Sequence, residues 1–172
     1  RQSGFLQAVL VSPQPRAVIV LGVVLGGTTL AVGQAALIGL LAPTVGLDSG
    51  LEGAALAVVA AVLMAVTFTS FGFVMAWRLR SARAYHAIMN VVLIPVWLLS
   101  GAFFPESGAS SGVVLAMRLD PMTYSVGLLR YGLHGVPPSI PGTDLEVGTC
   151  LVVSVVAAAF ALGAAVVTAR RG

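Results

Sequence analysis

The sequence contains no lysine, since all nine of its basic residues are arginine. A phosphate-binding P-loop needs a lysine on the β- and γ-phosphates of its nucleotide, so this chain cannot be a P-loop ATPase by itself. Charge of either sign is scarce, at 9% of the residues, whereas 58% are hydrophobic and the mean hydropathy is +1.02. A soluble domain of 172 residues has too little interior for this much apolar surface. The composition therefore indicates an integral membrane protein.

Cysteine is nearly absent as well: Cys150 is the only one, which excludes an internal disulfide. The two histidines, His86 and His134, are predicted at opposite membrane faces, so they cannot share a metal ion. No Ser/His/Asp group, carboxylate pair or Cys/His cluster converges on one side. The sequence thus predicts neither an enzyme nor a metal or cofactor in this chain. The net charge of +3 comes from arginines at the ends of apolar runs, which favours a topology signal over nucleic-acid binding.

Four apolar runs without a charged residue are long enough to cross a bilayer, namely 17–42, 53–77, 87–104 and 147–169. Even the shortest run would extend about 27 Å as a helix, close to the hydrocarbon thickness of a membrane. Lipid-exposed backbone must form either helices or a closed barrel, and these runs lack the alternation of barrel strands. The sequence therefore predicts an all-α integral membrane protein with four transmembrane helices.

Charge placement predicts the orientation of these spans. Seven of the nine arginines precede the first span, lie between the second and third, or follow the fourth, and all six acidic residues lie in the other two connections. The positive-inside rule then places both termini of this chain in the cytoplasm. We expect a multi-pass protein of the cell's inner or plasma membrane, with a short basic inner loop at 78–86.

The outer connection at 105–146 is long and contains a second apolar run. Asp120 is a typical helix N-cap and Pro121 suits the first helical position, so they predict a helix at about 121–133 that ends near Gly135. This helix is too short to span. It either lies in the interface or dips partway into the membrane as a re-entrant segment.

Small and polar residues within the spans suggest helix packing. Gly22 and Gly26 have the small-xxx-small spacing of closely packed membrane helices, and Gln34 is expected to hydrogen-bond another helix. The second span holds hydroxyl residues beside phenylalanines: Thr67, Thr69 and Ser70 with Phe68, Phe71 and Phe73. These hydroxyls either bond the carbonyls four residues back or help line a path for an amphipathic substrate, and the sequence leaves both open.

The amino-terminal segment 4–12 is predicted to be a short amphipathic helix, closed by Pro13. Its apolar face carries Phe5, Leu6, Val9 and Leu10. Because it precedes a span on the predicted cytoplasmic side, it is either a membrane-surface helix or a docking helix for a cytoplasmic partner.

Three blocks of the sequence resemble the ABC-2 type exporter permeases. "GFLQAVLVSPQPR" is similar to that family's G-x-L-E-x-L-L-x-[ST]-P-x-x-R segment, and "NVVLIPVWLLSGAFFP" to its P-x-x-x-L-S-G-x-F-F-P block. "LDPMTYSVGLLR" is similar to its L-N-P-[LM]-T-Y-x-x-x-x-x-R block. The blocks occur in the family's order over most of the chain. Within the family, they most resemble the drug-export permeases of the daunorubicin-resistance type.

The resemblance implies a permease of six spans, of which this chain would supply the coupling helix 4–12 and the last four spans as a piece lacking the first two. The long outer connection would correspond to the family's re-entrant helical hairpin. Family permeases pair as dimers and dock on separate ATPase subunits, which bind the ATP and magnesium. The implied partners are therefore a cytoplasmic ABC ATPase, a second permease copy forming a homodimer, and membrane lipid.

Two groups of site residues follow from the resemblance. ATPase docking falls to Gly4, Phe5, Leu6, Gln7, Val9, Leu10 and Pro13. An outer gate falls to Pro95, Ser100, Gly101, Phe103, Phe104, Pro105, Glu106, Asp120, Pro121, Tyr124 and Arg130. Gln7 departs from the family's usual glutamate, and Asp120 replaces a common asparagine without losing the capping role.

Two functional hypotheses follow. The first is the membrane subunit of an ATP-driven exporter of an amphipathic drug-like, lipid or polysaccharide substrate. The second is a non-transporting membrane scaffold or assembly protein, which would need no coupling helix.

Overall fold

The computed structural model describes residues 15–46, 50–79, 81–102, 110–140 and 143–171. Within these residues, four helices are long and apolar enough to cross a membrane. They are α1 (Arg16–Gly39), α2 (Gly50–Arg78), α3 (Ala82–Trp97, continued by a π-type turn Leu98–Ala102) and α6 (Val147–Arg171). Two shorter helices, α4 (Ser111–Leu119) and α5 (Pro121–His134), lie between α3 and α6. The prediction of an all-α integral membrane protein is confirmed.

Three small elements complete the described chain. A 3₁₀ turn, Ala42–Val45, follows α1. Strands β1 (Ser139–Ile140) and β2 (Thr143–Asp144) pair antiparallel, with Ser139 opposite Asp144 and Ile140 opposite Thr143. This hairpin carries the chain from α5 to α6.

Helix α3 begins earlier than the sequence predicted. The Ser81 Oγ accepts a hydrogen bond from the Ala84 N–H at 3.2 Å, so Ser81 caps a helix that starts at Ala82. The predicted inner loop at 78–86 was therefore wrong over its second half. Arg83 lies in the first turn of α3, because a charged side chain at the end of a membrane helix can reach the interface.

The third span also ends differently from the prediction. Regular helix stops at Trp97, and Gly101 within the π-type turn has φ 79° and ψ 2°, a left-handed conformation that glycine adopts readily. Pro95 lies one turn before and has no N–H for the helical ladder, a frequent cause of such breaks. The helix is thus interrupted ahead of Pro105, the residue predicted to stop it.

Helix α2 is the centre of the bundle and packs against α1, α5 and α6. A first core cluster joins α1, α2 and α6 through Val20, Val24, Phe73, Val74, Ala165 and Ala169. A second joins α2, α5 and α6 through Ala60, Leu128 and Cys150. The second cluster fixes α5 in the bundle although it does not span the membrane.

One end of the bundle collects the arginines, and we call it the arginine end. Arg16 opens α1, Arg78 closes α2, and Arg170 lies in the last turn of α6. The Arg16 Nη1 donates a hydrogen bond to the Ala169 carbonyl at 3.1 Å, so the start of α1 and the end of α6 are neighbours. Cationic groups at a helix C-terminus also offset the helix dipole.

The predicted packing of α1 is only partly found. A Cβ on Gly22 or Gly26 would meet nothing within 4 Å among the described residues, and the Gln34 side chain is exposed. Gly27 is the glycine in close contact, because a Cβ there would lie 2.6 Å from the Thr69 Cγ2. The face of α1 that packs against α2 is therefore the one that carries Gly27, next to the predicted face with Gly22 and Gly26.

Candidate functional site

A cavity of about 590 Å³ lies between the spans and the turn that joins α4 to α5. Its walls come from four helices and that turn: Thr67, Phe68, Phe71, Val74 and Met75 of α2, Val92, Leu93, Val96 and Leu99 of the third span, Ala116 and Leu119 of α4, Asp120 and Pro121, and Ala157, Phe160, Ala161 and Ala164 of α6. Phe160 and Leu119 are mostly exposed, so the cavity opens on the side of the bundle. Its volume is within the range of small-molecule sites.

Among the described residues that line this cavity, Asp120 is the only ionisable one. The rest of the wall is aliphatic or aromatic apart from the Thr67 hydroxyl, which donates a hydrogen bond to the Leu63 carbonyl at 2.8 Å. The cavity wall is therefore almost entirely apolar and includes one acidic residue.

Asp120 is buried, with 6% of its surface exposed. Its Oδ1 accepts a hydrogen bond from the Met122 N–H at 2.9 Å and so caps α5, which confirms the predicted capping role. Its Oδ2 is buried and has no hydrogen-bond partner among the described residues. Asp120 thus lies in the wall of an apolar cavity, and one of its carboxylate oxygens is buried and unsatisfied.

The depth of Asp120 follows from how α5 packs along α2 and α6. A Cβ on Gly132 would lie 2.7 Å from the Gly53 carbonyl oxygen, so the last turn of α5 touches the first turn of α2. Seven residues earlier, the Ser125 and Ser154 hydroxyls form a hydrogen bond of 3.0 Å. Asp120 then shares the cavity with Ala157, about 15 Å along α6 from its first residue.

Helices α4 and α5 therefore form a helical hairpin. It enters the bundle from the end opposite the arginines and turns at Asp120. The sequence predicted one helix in the connection and missed α4, which begins with Ser111 and Gly112, two residues of low helix propensity. The Asp120 N–H donates to the Ala116 carbonyl at 3.1 Å, which joins the two helices without a loop.

A second group of predicted gate residues meets at the other end of α5. The Arg130 Nη2 donates a hydrogen bond to the Gly101 carbonyl at 2.7 Å, linking α5 to the broken end of the third span. The Ser100 Oγ donates to the Trp97 carbonyl at 2.7 Å in the same turn. Arg130 lies about 15 Å along α5 from Asp120, so the predicted gate residues fall at two depths.

The remaining predicted site residues are placed as follows. Tyr124 donates its hydroxyl to the Arg118 carbonyl at 2.9 Å, which braces the α4–α5 turn. Pro121 starts α5 and lines the cavity, and Pro95 lies inside α3. The docking residues, together with Phe103, Phe104, Pro105 and Glu106, lie outside the described residues.

The hydroxyl and phenylalanine residues of α2 divide between two faces. Thr67, Phe68 and Phe71 line the cavity, whereas Phe73 belongs to the first core cluster. Of the two alternatives left open for these hydroxyls, Thr67 meets both, since it bonds the carbonyl four residues back and also lines the cavity. Ser70 is buried, and its Oγ has no hydrogen-bond partner among the described residues. Sequence reasoning missed the α3 and α6 walls because only the fold brings them to the same space.

No group of three or more His, Cys, Asp or Glu side chains that could hold a metal ion occurs among the described residues. The arrangement is a side-opening apolar cavity whose wall includes one buried acidic residue.

Comparison with known proteins gives one match. The family model described as ABC-2 type transporter matches residues 1–134. No curated protein and no solved structure matches the chain.

Proposed function

The chain belongs to the ABC-2 type transporter family, and we propose that it is the membrane-spanning permease part of an ATP-driven exporter of an amphipathic substrate. The observation that carries this proposal is the family match over residues 1–134 of a chain with four membrane-spanning helices. Members of this family are the membrane components of transporters and normally pair with an ATP-binding subunit.

In this proposal the arginine end faces the cytoplasm. The positive-inside rule supports that orientation, since Arg78, Arg83 and Arg170 all lie at this end. The predicted helix 4–12 would then lie where a cytoplasmic ATPase can reach it, just before α1. ATP and magnesium would be bound by that partner, because a chain without lysine has no P-loop.

The side-opening cavity supports an amphipathic substrate. An ATPase can drive export only if the substrate binds differently to two states of the permease. Helix α3 lines the cavity, has few contacts to α2 and ends in a broken turn, so its movement would change the cavity without disrupting the α2–α5–α6 core.

The test is co-purification of the full-length protein with a candidate ABC ATPase encoded nearby. Leu6→Glu with Leu10→Glu places two charges on the predicted apolar face of 4–12. We expect the wild type to retain the ATPase and stimulate its turnover, and the double variant to lose both while still inserting in the membrane.

Ala8→Glu with Val11→Glu is the matched control, because it adds the same two charges off that face and should leave the complex intact. Retention of the ATPase by the Leu6 and Leu10 variant would refute the docking role of 4–12. A wild type that binds no ATPase and stimulates no turnover would refute the transport proposal and favour the scaffold hypothesis.

A further inference from the structure

We propose that the cavity is a binding site for a cationic amphiphile, with Asp120 as its counter-charge. This inference rests on the proposed function only in naming the bound cation as cargo. The binding itself is independent of any ATPase.

The first argument is the state of the Asp120 carboxylate. One oxygen caps α5 and the other, Oδ2, is buried without a partner, and Asp120 forms no ion pair with any residue that the structure describes. Burying a carboxylate is costly unless a cation or hydrogen-bond donors compensate it. A cation in the cavity that Asp120 lines would supply a compensating positive charge that the described residues do not provide.

The second argument is the shape and chemistry of the space beside it. The cavity is walled by side chains such as Phe71, Val96 and Phe160, which offer contact area but no hydrogen bonds. In such apolar surroundings Coulomb attraction is far stronger than in water. A ligand with an apolar body and a single positive charge therefore fits better than a neutral or anionic one of the same size.

The third argument concerns the nearest arginine. Arg118 precedes Asp120 by two residues, but its side chain is exposed and it is not among the lining residues. Its backbone carbonyl accepts the Tyr124 hydroxyl, which holds this end of α4 against α5. Asp120, and not Arg118, is therefore the charged residue in the cavity wall.

The α4–α5 turn also makes the site testable without unfolding it. Asparagine is as good an N-cap as aspartate, so Asp120→Asn keeps the oxygen that accepts the Met122 N–H and removes only the charge. Asp120→Ser keeps a capping oxygen too and serves if the asparagine variant does not fold. The thermal unfolding midpoint of each variant checks that the fold is retained.

The experiment measures binding of two ions of the same shape and opposite charge, tetraphenylphosphonium and tetraphenylborate. The full-length protein is placed in phosphatidylcholine nanodiscs, and empty nanodiscs give the background. We expect wild-type protein to bind the phosphonium and Asp120→Asn to bind it at least about tenfold more weakly. The Asp120 variants should not weaken tetraphenylborate binding.

Two matched pairs locate the effect. Glu146→Gln removes an exposed acid outside the spans and should change phosphonium affinity less than about twofold. Ala161→Phe fills the cavity and should abolish binding, whereas Ala159→Phe on the exposed face of α6 should not.

Phosphonium binding that stays within twofold of wild type in Asp120→Asn would overturn the inference, as would equal wild-type affinity for the two ions. Neither outcome depends on the transport proposal. If the wild-type protein binds the phosphonium as expected but associates with no ATPase, the transport proposal is refuted and the binding site stands.

Discussion

Helices α5 and α3 both border the cavity, but they differ in how many of their residues are buried, and their lengths do not suggest this difference. Helix α3 is part of a membrane-spanning segment, yet none of its residues, all of which the structure describes, is buried. Helix α5 does not span, yet it contributes five buried residues: Thr123, Ser125, Val126, Leu128 and Gly132.

The difference follows from what each helix would present to lipid. Helix α3 carries aliphatic side chains such as Val91 and Ile94, which lipid tails surround as well as protein does. Helix α5 carries hydroxyls and starts at a carboxylate, and such groups need protein partners inside a membrane. Polarity therefore buries the shorter helix, while apolarity leaves the longer one at the surface of the bundle.

The largest effect on stability is expected from truncating a buried side chain of α5, and it tests the difference in burial between α5 and α3. Leu128 is fully buried against Ala60 and Cys150, so Leu128→Ala should lower the free energy of unfolding by about 2–5 kcal/mol. Val91→Ala in α3, where the side chain is 73% exposed, should change it by less than about 0.5 kcal/mol. Thermal or denaturant unfolding in neutral detergent measures both. Equal costs at the two positions would contradict the burial contrast.

The next effect is steric and concerns the contact of α5 with α2. A Cβ on Gly132 would lie 2.7 Å from the Gly53 carbonyl oxygen and 2.8 Å from the Ala57 backbone nitrogen, and backbone atoms cannot yield as a side chain does. We expect Gly132→Ala to destabilise the fold by about 1–3 kcal/mol.

Gly22→Ala is its matched control, because a Cβ there meets nothing within 4 Å and alanine is the better helix former. The same unfolding assay should show no loss for this variant. A Gly132→Ala protein as stable as wild type would show that α5 does not pack this closely.

The smallest effect is the hydrogen bond between α5 and α6. The Ser125 and Ser154 hydroxyls are 3.0 Å apart and buried. A double-mutant cycle with Ser125→Ala and Ser154→Ala should give a coupling free energy of about 0.6 kcal/mol, the usual size for such bonds in membranes. Strictly additive single-variant effects would exclude the bond.

Parts of the fold and site could be read from local sequence. Asp120 and Pro121 predicted the start of α5 because capping depends on neighbouring backbone groups alone, and the cap is present. Gly135 ends α5 as the sequence predicted, and the structure shows it in a left-handed conformation. The break at Leu98–Ala102 was not predicted, since Pro95 permits a distortion without fixing its place.

The sequence by itself determined that this chain belongs in a lipid bilayer and how many spans it contains. Long uncharged runs can only be satisfied as helices in lipid, and the blocks around Pro105 and Asp120 suffice to indicate the family. The tertiary structure decided which face of α1 packs, how deep the α4–α5 turn lies, and that Asp120 meets Ala157 and Val96 at one cavity. These depend on contacts between residues distant in the chain, and apolar helices of nearly uniform hydrophobicity carry no local signal for such contacts.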